Sequence, residues 1–204
     1  MNNDFSSQIA AFKKAGVEIV TGVMIPPDFA TFWSQAAQQG FKPKVVTVGK
    51  ALLFPSSVEA LGDRGDGLTT EIWWSPNHPF KSSLTGQSSK DLCDAYTKAT
   101  GKQWTQPLGF AHALFELAFD VVKRTKDRND PESVLAALLE TDLDTIIGHV
   151  SWKGGPNNPV KNVSKTPLVG GQWNKTASGK YDLSIIVNPQ HADIKTNGKL
   201  KLLG

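Results

Sequence analysis

Residues 17–48 read VEIVTGVMIPPDFATFWSQAAQQGFKPKVVTV, and this stretch decides the fold. Four of its first seven residues are Val or Ile, which reads as a buried strand. Pro26 and Pro27 then set the backbone angle of a first helical turn, and Asp28 places a negative charge at its positive end. Phe29, Phe32 or Trp33, and Ala36 or Ala37 recur at helical spacing until Gly40, which ends the helix. Residues 44–48, KVVTV, make the next strand. Two buried strands joined by one helix and short connections specify a parallel pair, because parallel strands need a crossover and a tight turn cannot supply one.

Working outward, Asp4 is a good helix cap, followed by Phe5, Ile9 and Phe12 on one face and a stop at Gly16. Downstream come a short helix near 57–61, a turn at 63–67 and a strand at 68–74, LTTEIWW. The expectation for residues 4–75 is α/β, a three-layer sandwich with a parallel sheet whose strands lie near 18–23, 44–48 and 68–74. The Arg64-Gly65-Asp66 tripeptide can act in adhesion, but here it stands among residues that any turn would use. A helix at 86–100 turns Leu92, Tyr96 and Ala99 inward. The next, at 108–123, is apolar almost all round and must be covered on several sides. Asp130 caps a further helix, with Pro131 at its first position and Val134, Leu135, Leu138 and Leu139 inside. Short strands follow at 148–152, 168–173 and 181–187.

The 204 residues are 39% apolar and 20% charged, with a formal net charge of +3, which is the composition of a globular chain. The lysines are scattered, so no patch tracks phosphates and nucleic acid is not an expected partner. Lys195, Lys199 and Lys201 read as a solvated tail. Cys93 is the single cysteine and reads as a small core residue, leaving no disulfide framework and no cysteine metal site. No apolar run reaches the ~20 residues that cross a bilayer, so no membrane insertion is expected. Met1-Asn2-Asn3-Asp4 has neither the basic nor the apolar region of a signal peptide.

Catalytic signatures are missing too. Gly49-Lys50 resembles the end of a phosphate loop, but Lys44 stands where that loop needs Gly, and Ala51 where it needs Ser or Thr. His78, His112, His149 and His191 show no metal-ligand spacing. The expectation is no enzyme, no metal and no cofactor. Aromatic residues draw attention instead. Trp73 and Trp74, read as neighbours in one strand, point to opposite faces. Either both are structural under a sheet covered on both sides, or one lines a cleft and stacks on a flat ligand.

Four runs in this order, DFSSQIAAFKKAGVEIVTGV (4–23), PPDFATFWSQAAQQGFKPKVVTVGKA (26–51), GFAHALFELAFDVVKRT (109–125) and DPESVLAALLETDLDTIIGHVSWKG (130–154), resemble the second half of the type I periplasmic solute-binding proteins of ABC importers, closest to the branched-chain amino-acid receptor family. The resemblance implies two α/β lobes that close on a solute in the cleft between them, with this chain supplying an incomplete second lobe. It assigns 1–77 to that lobe, 78–147 to helices returning to the first lobe, and 148–204 to the crossing back with short strands and a tail. It implies a small-molecule solute, ABC permease subunits as partners of the full-length protein and a periplasmic location for it. It also leaves the 108–123 helix uncovered, whence an expected homodimer of this chain.

Carried over position by position, the resemblance departs from the family at its most telling point. The carboxylate that meets the ligand ammonium just after the strand matching KVVTVG falls on Ala51, flanked by Lys50. An ammonium buried without a counter-charge loses several kcal/mol, so this pattern disfavours an α-amino acid. Lys50 is either the partner of a ligand carboxylate or a solvated loop lysine. A second contact of the family falls on Met24, Ile25 or Pro26, and a bulky pocket residue on Gly109 beside Phe110, changes that suit an aromatic or branched carboxylate. The candidate ligand residues are therefore Met24, Ile25, Lys50, Ala51, Trp73, Trp74, Gly109 and Phe110, with Glu71 able to restore the missing acid. A ligand-sensing receptor or regulator domain of the same fold, or a small α/β enzyme, are the competing readings.

Overall fold

The computed structural model describes residues 3–154 and 160–204. Met1 and Asn2, part of the stretch read for an export signal, lie outside it. The elements in chain order are helix α1 (Ser6–Lys14), strand β1 (Ile19–Met24), α2 (Pro26–Gln38), β2 (Val45–Lys50), α3 (Pro55–Glu59), a 3-10 turn (Gly62–Gly65), β3 (Thr69–Ile72), α4 (Ser89–Thr100), α5 (Pro107–Arg124), α6 (Pro131–Leu139), β4 (Asp142–Thr145), β5 (Gly148–Ser151), β6 (Val169–Lys175) and β7 (Tyr181–Val187). They make two compact units, Met1–Ile72 with Val169–Gly204, and Trp73–Leu168. The chain thus passes between units after Ile72 and after Leu168, where the sequence reading placed the boundaries at 77 and 147.

The first unit is α/β. Its sheet runs β1-β2-β3-β6-β7, the first three strands parallel and the last two antiparallel. Pro26 opens α2 and Phe29, Phe32 and Ala36 face inward, as the spacing requires. Asp4 does its capping one residue early: the helix cap is Phe5, and the Asp4 carboxylate accepts the Ser6 N–H at 2.9 Å. By strand alternation Val46, Val48, Thr70, Ile72 and Trp173 share one sheet face, and all five are buried. Trp173 is oriented there by its Nε1, which donates to the Leu52 carbonyl at 2.9 Å.

The opposite face is covered at β6 by the C-terminal tail. Gln172, fully buried, donates from Nε2 to the carbonyls of Gly67 (2.7 Å) and Lys201 (2.8 Å), and its Oε1 accepts the Lys201 N–H (3.0 Å). Its amide stands in for a strand partner. The Leu203 N–H then donates to the Lys44 carbonyl at 2.9 Å. The tail that read as merely solvated is therefore pinned at its backbone, while the Lys199 and Lys201 side chains are exposed.

The second unit packs around Trp74, Cys93, Ala113, Ile146, Ile147 and Val150. Ser88 and Asp91 form a capping box that starts α4. Inside α4 Leu92 and Tyr96 are half-buried, with Leu92 packed against this core, Cys93 is the buried apolar residue, and Ala99, at the far end of the helix, is exposed. In α6 the Asp130 cap and Pro131 are as read, but Leu135, Leu138 and Leu139 are exposed and Ala137 is the buried residue. The Arg124 guanidinium of α5 donates to the Ala137 carbonyl at 2.6 Å. The β4–β5 hairpin starts earlier than the expected 148–152 strand, with Asp142–Thr145 as its first arm.

Candidate functional site

Open α/β sheets bind ligands beyond the carboxyl ends of their parallel strands. In the first unit that edge holds Met24 and Lys50, which are register partners at the ends of β1 and β2. Ile25 follows as the cap of α2 and is half-buried. Lys50 is exposed, whereas Ala51 is buried and continues into buried Leu52 and Leu53. The position carried over to Ala51 is thus a core methyl here, while its neighbour Lys50 offers a polar group to solvent. Its backbone is unusual: φ is +62°, and the Ala51 N–H donates to the Gly49 carbonyl at 2.7 Å across it. Glu71, one strand over, accepts the Lys50 N–H at 3.3 Å.

The aromatic candidates lie in the second unit and divide into two pairs. β3 ends at Ile72, so Trp73 and Trp74 are not strand neighbours as expected; Trp73 is a bend residue. Trp74 is fully buried, its Nε1 donating to the Ile146 carbonyl (2.9 Å) and Ser89 Oγ (3.1 Å), with Trp104 edge-on at 6.3 Å. Gly109 lies directly beneath it, and an ideal Cβ at 109 would fall 2.3 Å from the indole. The room left by glycine is filled by Trp74, which corrects the expectation that Gly109 widens a pocket.

The other pair is half-buried. Trp73 and Phe110 meet edge to face with ring centroids 6.1 Å apart. Gln106, which the sequence reading missed, holds Trp73 in place by accepting its N–H at 2.6 Å through Oε1. Its signal was a glutamine just before the Pro107 helix start. Phe110 stands in the first turn of α5. This pair presents a fixed aromatic surface of the kind that takes a planar group.

At the opposite end of the first unit's sheet, a hollow of about 390 Å³ is lined by Trp33, Phe41, Lys42, Arg64 and Leu203, among others, and by none of the candidate residues. Among the described residues no cluster of His, Cys, Asp or Glu could hold a metal ion, and no helix is long and apolar enough to cross a membrane.

The family model for periplasmic binding proteins matches residues 2–174, so the chain belongs to that family. The family consists of solute-binding, non-catalytic proteins. Leu/Ile/Val-binding protein homolog 1 of Brucella abortus (strain 2308) is 25% identical over 185 residues, which is 88% of this chain and 44% of that protein. The chain therefore spans less than half the length of the curated relatives it matches. A leucine-binding protein of Thermotoga maritima superposes with TM-score 0.70 at 18% identity, covering 92% of this chain and 49% of that one. An ABC-transporter solute-binding protein of R. palustris in complex with 4-hydroxybenzoate gives TM-score 0.68 at 18% identity, covering 91% and 49%. Both likenesses are of fold.

Proposed function

We propose that the chain belongs to the solute-binding component of an ABC importer, located in the periplasm, and that its solute is an aromatic or branched carboxylate in preference to an α-amino acid. The observation that carries this is the end of β2: an exposed Lys50 beside a buried Ala51, at the point where the family's amino-acid receptors present an acid. A carboxylate gains a charge-assisted hydrogen bond from an ammonium there, while a ligand ammonium meets a like charge. A fold neighbour holding 4-hydroxybenzoate supports the same class.

Calorimetric titration of the full-length protein with benzoate, 4-hydroxybenzoate and leucine tests the proposal. Either aromatic acid should bind at least about tenfold more tightly than leucine, and Lys50→Met should remove about that factor for the acids. Micromolar leucine binding without aromatic-acid binding would refute it.

A further inference from the structure

We infer that Glu71 is a positioning residue for Lys50, holding the end of β2 in a strained turn that presents the lysine ammonium to a ligand anion. This rests on the reading of Lys50 as the carboxylate partner.

Lys50 has φ +62°, a region that side chains other than glycine rarely adopt. The Ala51 N–H donates to the Gly49 carbonyl at 2.7 Å, closing a three-residue turn around Lys50. Turns of this hand are rare and strained, and such strain persists only where neighbouring groups enforce it. Glu71 is the enforcing group. It lies on β3, and the Thr47–Thr69 register carries it alongside Gly49. One carboxylate oxygen accepts the Lys50 N–H at 3.3 Å. The same carboxylate rests on Gly49, where an ideal Cβ would come within 2.8 Å of Oε2.

The three residues therefore interlock. Gly49 lacks a side chain so that the Glu71 carboxylate can enter, the carboxylate turns the Lys50 amide toward itself, and the Lys50 side chain leaves the sheet edge from a left-handed backbone. A turn serving the fold alone would place glycine at 50, where this φ is free of strain. Lysine instead keeps a cation at the strand end where α/β sheets take their ligands.

Four variants of the full-length protein, with benzoate as the probe, test the inference by calorimetry and thermal melting. Glu71→Ala should weaken benzoate about tenfold, and Glu71→Gln, whose amide oxygen still accepts the Lys50 N–H, should restore most of that loss. Gly49→Ala should weaken benzoate as Glu71→Ala does, by expelling the carboxylate. Lys50→Gly should raise the melting temperature while weakening benzoate. If the wild type binds benzoate and Glu71→Ala binds equally well, the positioning role is wrong and the carboxylate reading stands. If Glu71→Gln is as weak as Glu71→Ala, the charge matters and the positioning role is again wrong. If the wild type binds no benzoate, the carboxylate reading falls and takes this inference with it. A Lys50→Gly variant that melts at or below the wild-type temperature removes the strain on which the inference stands.

Discussion

Gly109 and Trp74 are in closer contact than any other side chain would allow: a Cβ added at 109 would lie 2.3 Å from Cδ2 of the indole. Trp74 has nowhere to retreat, being fully buried with its Nε1 tied to Ser89 and Ile146. Gly109→Ala should therefore destabilise the second unit by about 1–3 kcal/mol or more, the usual range for overpacking a core. Denaturant unfolding followed by tryptophan fluorescence measures it. A loss below about 0.5 kcal/mol, the level of an ordinary surface change, would show that the indole is free to move.

Gln172 makes three hydrogen bonds, two that hold the tail at Lys201 and one to Gly67. At about 1 kcal/mol each, Gln172→Ala should lower stability by about 2–4 kcal/mol and release the tail. Hydrogen exchange at the Lys201 amide is the direct readout. Protection at Lys201 that survives the substitution would mean that the tail is held by something else.

The parallel part of the sheet was legible because its signals are local: two prolines at a helix start, helical spacing from Phe29 to Ala36, and two apolar strands, although β1, read as buried, is mostly exposed as the edge strand of the sheet, Ile19 and Val23 most of all. The antiparallel β6 and β7 were found as strands, but the pairing of β6 with β3 joins residues about a hundred positions apart and leaves no periodic mark. The same limit explains the aromatic residues. Trp73 and Trp74 share one sequence neighbourhood, yet Gln106 fixes the first and Ile146 with Ser89 the second, all distant in the chain. Lys50 and Ala51 could be singled out only through the resemblance. The positive φ at Lys50 was illegible, since lysine gives no hint of it and its cause lies on another strand.

Burial pushes the Cys93 thiol up to about 12 from an ordinary value near 9. Its folded-state value is raised, so the neutral thiol adds stability that is complete below pH 9 and is lost as pH rises from there toward 12. At pH 8 the native thiol should be almost wholly protonated and inert to a thiolate-specific reagent, and should react fully once guanidinium unfolds the chain. Rapid labelling of the native protein at pH 8 would contradict the buried position.

The last prediction concerns the outer side of α5 and α6. Leu114, Phe115 and Phe119 are 65–70% exposed, and Val122, Leu135, Leu138 and Leu139 are exposed beside them in sequence on the same two helices. The inward packing of α5 is made by Leu108, Phe110, Ala113 and Leu117, and α6 buries Ala137, so the outward-facing apolar residues take no part in it. Covering even four such side chains is worth roughly 1.5–3 kcal/mol each, or about 6–12 in all, which rivals the stability of a whole domain. The chain should therefore self-associate through this face at micromolar concentration. Sedimentation velocity across a concentration series would detect it. Phe115→Lys with Phe119→Lys should shift the sample toward monomer while moving the denaturation midpoint little, because both rings are in solvent. Self-association that persists in the double variant would place the contact elsewhere, and a wild-type chain that stays monomeric would show that an exposed face of this size is tolerated in water.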